Sequence, residues 1–257
     1  MRLFEFGDMD MVPELYHVYL RKYLTFFYKA FGYHRLWVPG FAEFILKIKK
    51  QDLMECCSGS GDVLLMIDAE LDESKFKNIR YILSDIRPNP EFCGRINLMP
   101  GDRFKYLNES VDIVSKHAEY SYPKIFINSF HHFSKEQVVG IFNANLGNNN
   151  EIIIMEYVRK SFLGFLSMVV GPLVVFLTLP FVVRLKHLPV MAFFTYLLPI
   201  FPLMMLWDGI VSCLHEYSDK EIKQIIDEMG YKVNIKSSVK RNLLYPAGVS
   251  VIGITFD

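Results

Sequence analysis

The stretch Glu55-Cys56-Cys57-Ser58-Gly59-Ser60-Gly61 decides how this chain is read. It closes a short apolar run that begins at Leu53 and leads into Val63 to Leu71, which reads as a helix. A strand that ends in an acid, then a glycine-rich loop, then a helix is an arrangement that holds nucleotide-like ligands. Glycines let the backbone approach the ligand, and the first helical turn offers N–H groups that have no partner within the helix. The loop alone is a weak signal. It is strengthened by Asp85, which closes the next strand-like run, Tyr81 to Asp85, and lies 24 residues beyond Gly61. A carboxylate at that place can accept both hydroxyls of a ribose.

Outward from this stretch, strand-like and helical segments alternate. Phe104 to Leu107, Lys124 to Asn128 and Glu151 to Glu156 read as strands. Ser134 to Ala144 reads as a helix opened by a capping box, with Ser134 as N-cap and Gln137 three residues on. Asn145 to Asn150 reads as loop. Ser218 and Glu221 form a second box ahead of a helix that Gly230 closes, and Tyr231 to Ser237 and Val249 to Phe256 follow as strands. This alternation predicts an α/β fold: a Rossmann-like, seven-stranded sheet with helices on both faces and the last strand antiparallel. Residues 1–50 form a helical N-terminal lead that opens near Val12-Pro13-Glu14 and breaks at Pro39-Gly40. Its aromatic stripe, which includes Tyr16, Tyr19 and Tyr23, suits either core packing or a lid over a ligand.

Glu55 to Gly61 resembles the first motif of class I S-adenosylmethionine-dependent methyltransferases, an acid followed by three alternate glycines. Gly59 and Gly61 match the second and third glycines, and Cys57 stands in place of the first. Asp85 resembles the family's ribose-binding acid, and Glu109-Ser110-Val111-Asp112 the segment whose acid contacts the adenine amino group. Asn128-Ser129-Phe130-His131-His132-Phe133 resembles the fourth-strand motif, and the strands at 151–156 and 249–256 resemble the fifth and the reversed seventh. Within the family, Phe130 to Phe133 and Leu206 to Leu214, followed by Glu216-Tyr217-Ser218, resemble a bacterial subfamily. The resemblance implies S-adenosyl-L-methionine as cofactor and S-adenosyl-L-homocysteine as product. Glu55, Cys57, Ser58, Gly59, Gly61, Asp85, Ile86, Asp112 and Asn128 would bind the cofactor. His131, His132 and Asn128 would face the reacting centre, where an imidazole can take a proton from the acceptor. No metal is expected.

Composition narrows the alternatives. The chain has 257 residues and is 51% hydrophobic, enough for a substantial core, which excludes a disordered tail or a disulfide-stapled miniprotein. Lys plus Arg and Asp plus Glu are 28 each, so no whole-molecule field favours nucleic acid. Cys56, Cys57, Cys93 and Cys213 lack metal-site spacing and read as reduced thiols. A dinucleotide oxidoreductase would carry a third loop glycine where Leu64 stands. A non-catalytic, membrane-associated binding or scaffold protein with the same fold is the alternative function.

The apolar excess concentrates in one insertion, residues 161–214, between a cofactor-binding domain made of 51–160 and 215–257. Phe162 to Val183 is 22 residues without a charge, about 33 Å as a helix, and Val190 to Leu206 adds 17 more. The strands on either side belong to one sheet, so a single membrane crossing is excluded by that fold. A helical cap with or without peripheral membrane contact, a membrane hairpin and a homodimer interface stay open. Each favours a small hydrophobic or amphiphilic, lipid-like acceptor. Trp207 and Asp208, at the end of the block, join Tyr16, Tyr19 and Tyr23 as candidate substrate or lid residues; an acid there needs a partner or a task. The expected location is cytoplasmic, with membrane association open.

Overall fold

Seven strands and the helices between them carry the architecture, seen in a computed structural model that describes residues 2–115 and 119–257. In chain order the helices are α1 (Glu14–Phe31), α2 (Val38–Lys47), α3 (Asp62–Ala69), α4 (Glu73–Phe76), α5 (Pro90–Asn97), α6 (Lys135–Leu146), α7 (Phe162–Val182), α8 (Leu188–Ala192), α9 (Ile200–His215) and α10 (Asp219–Met229). The strands are β1 (Asp52–Cys56), β2 (Arg80–Ser84), β3 (Phe104–Tyr106), β4 (Lys124–Ile127), β5 (Ile152–Glu156), β6 (Asn234–Lys240) and β7 (Val249–Thr255).

The chain divides into two compact units. The α/β unit comprises His34–Tyr157, Tyr217–Lys240 and Val249–Asp257; the helical unit comprises Met1–Tyr33, Val158–Glu216 and Arg241–Gly248. This division differs from the sequence-based one in the N-terminal lead, which splits between the units. The reason is packing. The Trp37 indole Nε1–H donates to the Ser250 carbonyl at 3.2 Å. At Gly40, α2 runs so close to β7 that a Cβ would lie 2.9 Å from Val251 Cγ1. Residues 241–248 join the helical unit, where Tyr33 and Tyr245 pack ring to ring at 5.2 Å.

In the α/β unit the sheet order is β3-β2-β1-β4-β5-β7-β6. β1 to β5 are parallel, and β7 runs antiparallel to both β5 and β6. β4 and β5 are buried along their whole length, as central strands of a covered parallel sheet are, with Lys124 and Glu156 the charged residues among their apolar ones. Met54, Phe126, Ile154 and Ile252 pack with α6 and α10 side chains such as Phe142 and Ile226 in one core. Both expected capping boxes are present, and Gly230 ends α10 in the left-handed conformation.

Two local expectations change, at the α1–α2 boundary and at the start of β6, and two short helices are added. Gly32, left-handed at φ 65°, ends α1, and Pro39 sits in the first turn of α2, so it opens that helix. α5 opens at Pro90 because the Asn89 side chain accepts the Glu91 N–H and Pro90 suits a first helical position. α4 is likewise capped by Asp72, which accepts the Ser74 N–H. β6 starts at Asn234, three residues later than expected, because its pairing with Thr255 of β7 sets the register.

The helical unit has its own core. Tyr16, Tyr19 and Tyr23 of α1 pack with Val175 and Leu179 of α7 and with Phe201 and Met205 of α9. α7 and α9 approach closely at Gly209, where a Cβ would lie 2.9 Å from Met168 Sδ. Between them, a π turn at Phe193–Leu197 follows α8, and Leu185–Leu197 meets α9 at a 72° bend.

Candidate cofactor site at the carboxyl ends of the strands

The site begins where β1 runs out. Glu55 is buried one residue before the strand's end, and its Oε2 has no hydrogen-bond partner among the described residues. Burial pushes its carboxyl up to about 8, opposed by a Ser58 side-chain hydrogen bond and reinforced by the charges of Asp85 and Asp62. A buried carboxylate oxygen without a donor is short of one polar or cationic partner.

Cys57 then turns the chain at φ 58°, a left-handed conformation that favours glycine. The backbone therefore keeps the shape of the glycine-rich motif at the very position where the residue departs from it. Gly61 is needed on two counts: its φ is 72°, and a Cβ would lie 2.5 Å from Ile96 Cδ1 and 2.6 Å from Leu83 Cδ2. Ser58 fastens the turn to β2. Its N–H donates to the Ser84 carbonyl at 2.9 Å, and its Oγ accepts the Ser84 N–H at 3.1 Å.

Asp85 lies at the end of β2, and both its oxygens are engaged. Oδ2 accepts the Gly59 N–H and Oδ1 the Arg87 N–H, each at 2.8 Å. Ile86 beside it is 54% exposed, an apolar side chain at the rim of the site. The Asp112 carboxylate accepts the Val114 N–H and the Ser115 hydroxyl, both at 2.9 Å, and so caps its own turn. The Val111 N–H donates to the Asp85 carbonyl at 3.0 Å, which brings this segment alongside β2.

The tip of β4 supplies the other candidates. Asn128 is left-handed at φ 48°, and its Oδ1 accepts the Tyr157 N–H at 3.1 Å, tying β4 to the end of β5. His131 is buried, with Nδ1 2.8 Å from Glu156 Oε2, and the His132 ring lies against it, tilted by 35°, at 4.4 Å. Glu156 Oε1 also accepts the N–H of Phe130 at 2.7 Å and of His131 at 3.2 Å. In the neutral tautomer that donates Nδ1–H to the Glu156 carboxylate, Nε2 carries the lone pair. Ser129 Oγ is buried without a hydrogen-bond partner among the described residues.

Three contributors escaped the sequence reading. The Tyr106 hydroxyl donates to the Gly59 carbonyl at 2.9 Å, and Arg95 Nη2 to the Ser60 carbonyl at 2.7 Å while the same guanidinium pairs with Asp62. Glu156 orients His131. Of these, only Glu156 carried a signal: it is an acid that ends a fully apolar run.

The five lid candidates lie in the helical unit and are used there for packing. Asp208 accepts the Phe6 N–H at 2.7 Å, the Gly7 N–H at 2.9 Å and the Tyr16 hydroxyl at 2.8 Å. Burial pushes its carboxyl up to about 6 against those three donors. Trp207 Nε1–H donates to the Phe4 carbonyl at 2.9 Å. The Tyr19 hydroxyl accepts the Arg184 N–H at 3.1 Å and meets His187 Nδ1 at 2.9 Å. Tyr23 is fully buried against Phe201, and burial pushes its phenol up to about 12. The aromatic stripe is core, and Asp208 fastens the N-terminal segment because an acid in apolar surroundings needs donors.

No family model matches the sequence, and no curated protein matches it. Solved structures do. The plantazolicin methyltransferase BpumL in complex with S-adenosylhomocysteine superposes with a TM-score of 0.52 at 10% identity, covering 95% of this chain and 97% of that one. BpumL with a monoazolic desmethylplantazolicin analogue gives 0.51 at 12% identity over the same shares. The pyocyanin biosynthetic protein PhzM gives 0.50 at 10% identity, over 90% of this chain and 56% of that one. The chain has the class I methyltransferase fold. In a class I sheet the Glu55 loop, Asp85 and the β4 tip all lie at the carboxyl ends of the parallel strands, where open α/β sheets bind their ligands.

Proposed function

We propose that this chain is an S-adenosylmethionine-dependent methyltransferase for a small hydrophobic or lipid-like acceptor. The observation that carries the reading is the buried Glu55 Oε2, which has no hydrogen-bond partner among the described residues, at the head of a left-handed loop formed by Cys57, Gly59 and Gly61. When bound, S-adenosylmethionine would supply a methyl group on a sulfonium, whose C–S bond breaks to leave the neutral thioether S-adenosylhomocysteine without any proton being needed.

Each residue has a task suited to its surroundings. Glu55 receives the cofactor's cationic amino group, which meets its want of a partner. Asp85 keeps unused lone pairs for ribose hydroxyls while its two backbone bonds hold it in place. Ile86 offers an apolar surface to the base, and Asp112 takes the adenine amino group. His131, fixed through Nδ1 by Glu156, presents Nε2 as a proton acceptor for a hydroxyl or amine that is being methylated. The apolar character of the helical unit supports a hydrophobic acceptor, and a cytoplasmic location, where the cofactor is made available, suits that chemistry.

Titration calorimetry tests this. The full chain binds S-adenosylhomocysteine at one site. Because Asp85 also holds Gly59, Asp85→Asn, which keeps one acceptor oxygen, is the informative variant. It weakens binding at least tenfold, about 1.4 kcal/mol, while the backbone bond it loses, to Gly59 or to Arg87, lowers the unfolding midpoint without unfolding the chain at the assay temperature. His131→Gln keeps the affinity and loses transfer of a methyl group to a lipid-extract acceptor. Failure of the unaltered chain to bind the cofactor refutes the enzyme reading and leaves the scaffold alternative, which the side chain at Cys57 favours.

A further inference from the structure

α7 is apolar on every side, yet only one side is covered. Val175 and Leu179 face the core of the helical unit. Opposite them, Phe162, Leu166, Leu173, Leu177 and Phe181 recur at helical spacing along the whole length and are exposed, Phe162 to 80%, Leu177 to 77% and Phe181 to 87%. Leu197 and Leu203, on either side of the 72° bend, are exposed as well. A contiguous patch of this extent marks a surface that meets protein or lipid.

Charge selects between them. Within Val158–Glu216 the acids Asp208 and Glu216 are buried, Glu216 in an ion pair with Arg159 at 2.9 Å. The exposed charges are basic and bracket α7: Lys160 before it, Arg184 and Lys186 after it. An apolar stripe edged by cations at both ends is complementary to an anionic bilayer surface.

Contacts inside the unit set the orientation. α7 has 21 residues, about 32 Å, enough to cross a bilayer core by length. However, Tyr19, a third of the way along α1, bonds the Arg184 N–H and His187 just past the end of α7, and Phe27 of α1 lies against Gly171 near its middle. α1 carries Glu14, Arg21, Lys22 and Lys29. A crossing α7 would draw these charges into hydrocarbon.

We infer that the helical unit docks on an anionic lipid bilayer, with α7 lying in the interfacial plane and the stripe from Phe162 to Phe181 sunk among the acyl chains. This does not depend on methyl transfer, and it makes a lipid or lipid-dissolved molecule the acceptor that the unit meets.

Vesicle co-sedimentation of the full chain tests it. Phosphatidylcholine vesicles containing phosphatidylglycerol bind the chain about tenfold more tightly than phosphatidylcholine alone. The paired variant Lys160→Glu and Lys186→Glu abolishes that difference. Leu177→Glu with Phe181→Glu, both at exposed positions, loses binding to either vesicle while the thermal midpoint holds. Alkaline carbonate releases the bound chain. Absence of binding, equal binding to both vesicles or binding unchanged by the two pairs of substitutions overturns the inference. Carbonate resistance overturns the in-plane orientation in favour of a crossing. A stable dimer in lipid-free solution that Leu177→Glu with Phe181→Glu dissociates overturns it in favour of a second copy.

Discussion

Cys57 holds a backbone conformation that its own side chain disfavours. A left-handed φ costs an L-residue about 1–2 kcal/mol, and a β-branched residue more. The loop pays it because the two residues after Cys57, Ser58 and Gly59, are fastened by Ser84, Asp85 and Tyr106. Cys57→Val should therefore lower stability by about 1–2 kcal/mol. Cys57→Gly should match or exceed the unaltered chain, since relief of strain is partly offset by a freer unfolded chain. Urea unfolding of the three proteins checks this, and equal midpoints would contradict it. Glu55 gives a second test, through protons. Its carboxyl moves from 4.5 to about 8 on folding. Between those values the folded chain keeps a proton that the unfolded chain gives up, so stability without ligand falls as pH rises from about 4.5 to about 8. Glu55→Gln flattens that slope. A cofactor cation at Glu55 favours the ionised form, so binding near neutral pH should release a proton. Calorimetry in buffers of different ionisation heat measures the release, and its persistence in Glu55→Gln would sink the assignment. The strand-end acids Glu55 and Asp85 were legible in the sequence because they interrupt apolar runs. Tyr106 and Arg95 were not, since a tyrosine and an arginine near a loop are ordinary until a partner carbonyl is placed beside them.

At the scale of elements, sequence and structure agree where the signal is local. Capping boxes at Ser134 and Ser218 and the αL glycine at 230 depend on residues within a turn of one another, and all three are present. Disagreement appears where a distant element decides. Pro39-Gly40 reads as a break, but the glycine lets α2 press against β7. Gly40→Ala brings a Cβ against three carbons of Val251, a side chain held by its own strand, and should cost about 1 kcal/mol net of the better helix propensity. Val251→Ala in that background should recover most of the loss. If Gly40→Ala stabilises the chain on thermal unfolding, the contact does not limit the packing. The aromatic stripe of α1 shows the same dependence. Its spacing suits a lid or a core, and only the arrival of Val175, Leu179 and Phe201 against Tyr19 and Tyr23 makes it core.

On the scale of the whole molecule, a neutral chain conceals an uneven one. The exposed charges of Val158–Glu216 are basic, and its two acids are buried. That asymmetry, with the open stripe of α7, is what turns an apolar excess into a candidate lipid-facing surface, and vesicle binding is the measurement that belongs to this scale. The sequence by itself determined the class of fold, because alternating strand and helix periods and the order of strand-end acids are written along the chain. It also located the apolar block. Only the tertiary structure decided which face of that block is covered, that Asp208 and Trp207 fasten an N-terminal segment, and that Glu156 orients His131. The physical reason is range. Periodicity, caps and turns are fixed by neighbours a few residues apart, whereas burial and hydrogen-bond partnership are set by residues far apart in sequence, such as Phe6 and Asp208.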